Sequence, residues 1–69
     1  MTDVMKIIRK ERKRQGISQE KLAYLVQVDK VSISFWENYK FSPKFEIVEN
    51  MLNALGLEIV IQKKGTTNE

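Results

Sequence analysis

The chain has no cysteine and no histidine, and only one proline and three glycines in 69 residues. Without cysteine there is no disulfide and no thiol nucleophile, and without either residue type the usual zinc-finger ligand sets are missing. The lack of histidine removes the side chain most often used for acid–base catalysis near neutral pH. There is no glycine-rich phosphate loop and no recognisable carboxylate pair, so no enzymatic activity, cofactor or metal is expected. No apolar run approaches the roughly 20 residues that cross a bilayer, and the N-terminus lacks a charged region followed by an apolar one. A cytoplasmic protein without membrane contact is the expectation. A chain this short forms one small domain near the lower limit for folding alone, and oligomerisation would stabilise it.

The net charge of +3 is unevenly placed. Residues 1–14 carry Lys6, Arg9, Lys10, Arg12, Lys13 and Arg14 against Asp3 and Glu11, a local +4, and the remainder is −1. Such a patch suits a polyanion through counterion release, although for a basic run alone a solvated helix face is the commoner arrangement.

Periodicity divides the chain into four helices. The first covers residues 3–14, with Thr2 as cap, Val4, Ile7 and Ile8 as its apolar stripe, and Gly16 ending it. The second covers residues 19–26, capped by Ser18 and carrying Leu22, Ala23, Leu25 and Val26; a tight turn at Gln27 and Val28 follows. The third covers residues 30–38, capped by Asp29, with Ile33 and Trp36 turned inward. Ser42 and Pro43 read as cap and first helical residue of the fourth, where Phe45, Val48, Leu52 and Leu55 repeat at spacings of three and four before Gly56. Trp36, Phe45, Met5 and Met51 are core candidates, and Tyr24 lies on the outer face of the second helix. Residues 57–62 are rich in β-branched side chains and read as one strand, with Leu57, Ile59 and Ile61 on one face. A lone strand needs a partner, and the same strand of a second copy supplies one about a two-fold axis, so Leu57, Ile59, Val60 and Ile61 are the expected dimerisation residues. The domain is expected to run from 1 to 64, with a flexible tail at 65–69.

Two short amphipathic helices joined by a tight turn form a helix-turn-helix, the pattern of a double-stranded DNA reader. A recognition helix entering the major groove presents its first turn and the residues one turn later. Here those are Asp29, Lys30, Val31, Ser34 and Phe35. Lys30 can donate to guanine O6 and N7, Ser34 can serve a base or a phosphate, and Val31 suits a thymine methyl. Asp29 can cap the helix or accept from cytosine N4. Phe35 can contact a methyl or fold back against the loop at 39–42. Gln19, at the first turn of the second helix, can reach a phosphate, with Ser18 beside it more useful as a cap; Asn38, Tyr39 and Lys40 are further phosphate candidates.

The series Ser18-Gln19-Glu20-Lys21-Leu22-Ala23, Val28, Ser32-Ile33-Ser34 and Trp36-Glu37-Asn38 resembles the Cro/C1-type (XRE) helix-turn-helix family of phage repressors and bacterial regulators. The resemblance implies a mainly α, four-helix, lambda-repressor-like domain that binds an inverted-repeat operator as a homodimer. It also implies a partly buried ion pair between Arg12 and Glu37 and a phosphate role for Gln19. The appended segment at 57–61 is similar to the HipB-like antitoxin branch, whose members dimerise through such a strand; a toxin protein would then be a further partner. A stand-alone phage or host repressor, or a protein-interaction module without DNA binding, are the alternatives. Three positions depart from the family pattern: Gln27 and Tyr39 stand where glycine is usual, and Glu11 where an apolar residue is common.

Overall fold

A computed structural model describes residues 2–60, which form four helices: α1 (Thr2–Arg14), α2 (Gln19–Val26), α3 (Lys30–Glu37) and α4 (Phe45–Ala54). Helix α1 therefore begins at Thr2 itself, one residue before its expected start. The buried side of α1 runs through Met5, Ile8 and Arg12, one residue in each turn, while Ile7, expected in the apolar stripe, is 55% exposed and falls outside the buried face. Leu22 and Ala23 of α2, Ile33 of α3, and Val48, Met51, Leu52 and Leu55 at the α4 end complete a single core. Trp36 packs against its edge.

Caps account for where α2 and α3 begin. The Ser18 hydroxyl accepts from the Lys21 N–H at 2.9 Å, and the Asp29 carboxylate accepts from the Ser32 N–H at 2.7 Å. Each satisfies a donor that the first helical turn leaves without a partner. The start of α4 differs from expectation. Pro43 is buried and precedes the helix, and Lys44 takes the N-cap position without a side-chain capping bond. The proline ring anchors the loop against the domain instead of opening the helix. With the first turn displaced to Phe45, the phenyl ring of Phe45 lies beyond the end of the core and is 52% exposed, a correction to its expected burial.

All four helices close in the same way. The N–H groups of Ile17, Val28, Lys40 and Leu57 reach back to the carbonyls of Arg12, Ala23, Phe35 and Leu52, at 2.8–3.0 Å. The residue just before each of these donors has positive φ: Gly16 (71°), Gln27 (61°), Tyr39 (62°) and Gly56 (80°). A six-to-one closure around a left-handed residue satisfies the orphan carbonyls of a helix end and turns the chain sharply. At Gly16 and Gly56 the conformation is free of Cβ strain, whereas Gln27 and Tyr39 hold it at a cost of about 1–2 kcal/mol each.

The deepest polar contact joins α1 to α3. Arg12 Nε donates to Glu37 Oε2 at 2.7 Å and Arg12 Nη2 to Glu37 Oε1 at 2.9 Å, with both residues buried. Arg12 Nη1 donates to the Ile17 carbonyl at 2.7 Å. Glu11 accepts from Arg14 and Gln15, and Gln15 also donates to the Leu55 carbonyl at 2.7 Å, tying the end of α1 to the end of α4. The bond from Arg14, with that from Gln15 behind it, holds the Glu11 carboxyl down at about 2. A polar residue at position 11 is thus accommodated by a surface network.

Residues 57–60 form neither helix nor strand in the single chain. Leu57 and Ile59 pack against the core while Glu58 and Val60 are exposed, so the expected alternation holds through Val60. Ile61, the end of the expected strand and the tail at 65–69 lie outside the described residues.

Two outcomes follow from these contacts. Gln27→Gly should raise stability by about 0.5–1 kcal/mol, the strain relieved less the extra chain entropy of glycine, read as a higher urea midpoint at constant slope; no gain would mean that the turn is unstrained. Glu37→Ala should lower stability by about 3–5 kcal/mol because it strands a buried guanidinium, whereas the double change Arg12→Met/Glu37→Leu should recover most of the loss. A loss under about 1 kcal/mol would place the pair with exposed ones.

Candidate nucleic-acid interface

The turn between α2 and α3 spans Gln27 to Asp29, and its tightness depends on the left-handed Gln27. It sets α3 across α2 with Ile33 inward, which leaves Val31 and Phe35 exposed along the opposite side and Lys30 exposed at the start of the helix. Lys30 and Val31 stand in the first turn of α3. Asp29 is occupied as the cap, and its bonds with Ser32 lower its pKa below the ordinary carboxylate range. Ser34 is half-buried, and its hydroxyl lies 3.4 Å from Asn38 Nδ2, which also donates to the Ser34 carbonyl at 2.9 Å. Phe35 does fold back: its ring meets Phe41 edge to face at 5.6 Å, yet remains partly open to solvent.

Gln19 is half-buried, and its Nε2 donates to Glu37 Oε1 at 3.0 Å. This bond brings the first turn of α2 against the last residue of α3. Ser18 and Gln19 therefore lie near the end of α3 that leads into Asn38, Tyr39 and Lys40, all three exposed. The candidate phosphate residues gather at the C-terminal end of α3, and the base candidates Lys30 and Val31 occupy the other end, about 12 Å away for eight helical residues.

The positive charge of α1 is reduced by its internal pairs. Arg12 is buried against Glu37 and Arg14 is paired with Glu11, while Lys6, Arg9, Lys10 and Lys13 are exposed. A groove of about 400 Å³ lies elsewhere, lined by Leu25, Val26 and Gln27 from the α2 end and by Asn50, Asn53 and Ala54 of α4, without a titratable side chain.

Two participants escaped sequence reasoning. Phe41 sits in an irregular loop, where no periodicity relates it to Phe35. The Gln19–Glu37 bond joins residues 18 apart in sequence, and only packing of α2 on α3 brings them together.

A family model described as helix-turn-helix matches residues 8–62, which covers all of α2, α3 and α4 and most of α1. Comparison with curated proteins and with solved structures yields no match. A model match over most of the chain, on a four-helix domain with capped α2 and α3, settles the family: this is an XRE-type helix-turn-helix protein, a DNA-binding transcription regulator.

Proposed function

We propose that the protein is a cytoplasmic, dimeric repressor that binds an inverted-repeat operator, and that it serves as the antitoxin of a toxin–antitoxin module. The observation that carries the DNA reading is α3 itself: clamped through Glu37, capped by Asp29, and exposing Lys30 and Val31 in its first turn. In the major groove Lys30 donates to guanine and Val31 meets a thymine methyl, with Ser34 and Phe35 one turn later. Asp29 remains with the protein as a cap. Gln19 has one amide hydrogen engaged by Glu37 and a second for a phosphate, where the N-terminus of α2 adds its own N–H groups and those of Asn38 and Tyr39 and the Lys40 ammonium complete the grip. No catalytic step belongs to this function.

The dimer reading is supported by residues 57–60. Leu57 and Ile59 are already committed to their own core, so the surface offered to a second copy is the backbone edge of this segment together with exposed Val60. The antitoxin role is the narrower part of the proposal and is supported by this appended apolar segment; an adjoining toxin reading frame would separate it from a stand-alone regulator.

Fluorescence anisotropy with a labelled duplex should give affinity that falls steeply with salt, because each phosphate neutralised releases counterions. Salt-independent binding, or none at low salt, would sink the DNA reading. Lys30→Ala should cost about 1–3 kcal/mol at a preferred sequence and relax selection at one position per half-site, whereas Gln19→Ala should weaken all sequences alike. Uniform effects from both would refute that division. For the dimer, Val60→Asp should shift sedimentation from dimer to monomer with the helical signal retained; an unchanged dimer would exclude this segment as the interface.

A further inference from the structure

Val31, Phe35 and Phe41 remain 59%, 43% and 64% exposed although each is large and apolar. Val31 and Phe35 stand one turn apart on α3, on the same face. Phe41 comes from the following loop. The Lys40 N–H donates to the Phe35 carbonyl at 2.9 Å, and this closure folds the chain back so that the Phe41 ring abuts Phe35 at 69°. The three side chains form one apolar ridge about 6 Å long from Val31 to Phe35, which spans roughly two base steps, and Phe41 extends it.

Resting on the DNA-binding function proposed above, we infer that this ridge reads the C5-methyl groups of adjacent thymines, with Phe41, outside the recognition helix, as a specificity-determining residue. The floor of the major groove offers hydrogen-bonding edges and one kind of apolar group in ordinary DNA, the thymine methyl. The outer side of α3 is poor in hydrogen-bonding groups to match those edges. Asp29 is spent on its cap, Ser34 is half-buried beside Asn38, and Lys30 alone extends a full set of donors. Discrimination from such a helix has to come largely from apolar contact. The ridge is also continuous with the phosphate grip: Lys40 adjoins Phe41 in the chain, and Gln19 touches Glu37 near the same end of α3. A duplex held there covers the ridge and excludes water from it, which an exposed apolar face of this kind requires. The edge-to-face ring pair fixes the shape of the ridge before binding, so little side-chain freedom remains to be lost.

The test uses duplexes enriched by the full-length protein from a random thymidine-containing library and then resynthesised with deoxyuridine in place of thymidine. This removes methyl groups and leaves base-pairing edges and phosphate charge in place. The wild-type protein should bind the thymidine duplex more tightly by about fourfold per methyl covered, about tenfold or more for two. Phe41→Ala and Phe35→Ala should bring that ratio toward one while the steep salt dependence, which the phosphate contacts set, is retained, with circular dichroism checking the fold. Equal wild-type affinity for the two duplexes overturns the methyl reading, as it would if the ridge served a protein partner instead. A preserved ratio in folded Phe41→Ala overturns the role of Phe41. Neither of these results would touch salt-dependent DNA binding itself, whereas failure to bind either duplex would remove both the inference and the function on which it rests.

Discussion

Arg12 and Glu37 meet in the interior through two parallel hydrogen bonds, and four segments converge on them. The guanidinium comes from α1 and the carboxylate from α3; the Ile17 carbonyl of the first turn takes another guanidinium hydrogen, and Gln19 of α2 donates to the carboxylate. Burying either charge alone would be prohibitive, so the three helices have to adopt the arrangement in which the pair forms. A nonpolar substitute of equal volume would fill the space but would not fix the rotation of α3 about its axis. The fork geometry of arginine does fix it, and so determines which residues of α3 face outward.

The helix ends contribute the second constraint. Four closures of one type turn the chain within two or three residues, which lets a domain of this size place its helices around a single core. Two of the four turning residues are glycines, and two, Gln27 and Tyr39, hold the left-handed conformation despite carrying side chains. Those two flank α3. That helix is thus entered and left through strained turns that the core packing and the buried ion pair hold in place.

Much of this was legible in the sequence, because it rests on local chemistry. The bounds of α2, both side-chain caps and the stripe through Val48, Leu52 and Leu55 follow from residue type and spacing, while the left-handed Gln27 and Tyr39 stand at the two positions where the family resemblance puts glycine. The start of α4 did not follow. Ser42-Pro43 has the form of a cap and first helical residue, but burial of the proline ring outweighs that local preference. Phe45 departs from its expected burial for a related reason: periodicity identifies a face but not how far along it the core extends. Ile7 is exposed because a stripe at helical spacing is wider than the strip that α1 buries.

The interface divides in the same way. Residue type alone assigned Lys30 and Val31 to the outward first turn of α3 and Ser18 and Asp29 to capping, since a helix with Ile33 and Trp36 inward leaves its other face to solvent. Sequence by itself determined the four helices and the Ser18 and Asp29 caps, because each depends on residues within a turn or two of one another, and the family, through a motif contiguous in the chain. Only the tertiary structure decided that Gln19 bonds Glu37, that Phe41 extends the face of α3, and that Leu57 and Ile59 serve their own core. These contacts join segments whose separation in sequence carries no periodic signal, and packing around the buried ion pair is what brings them together.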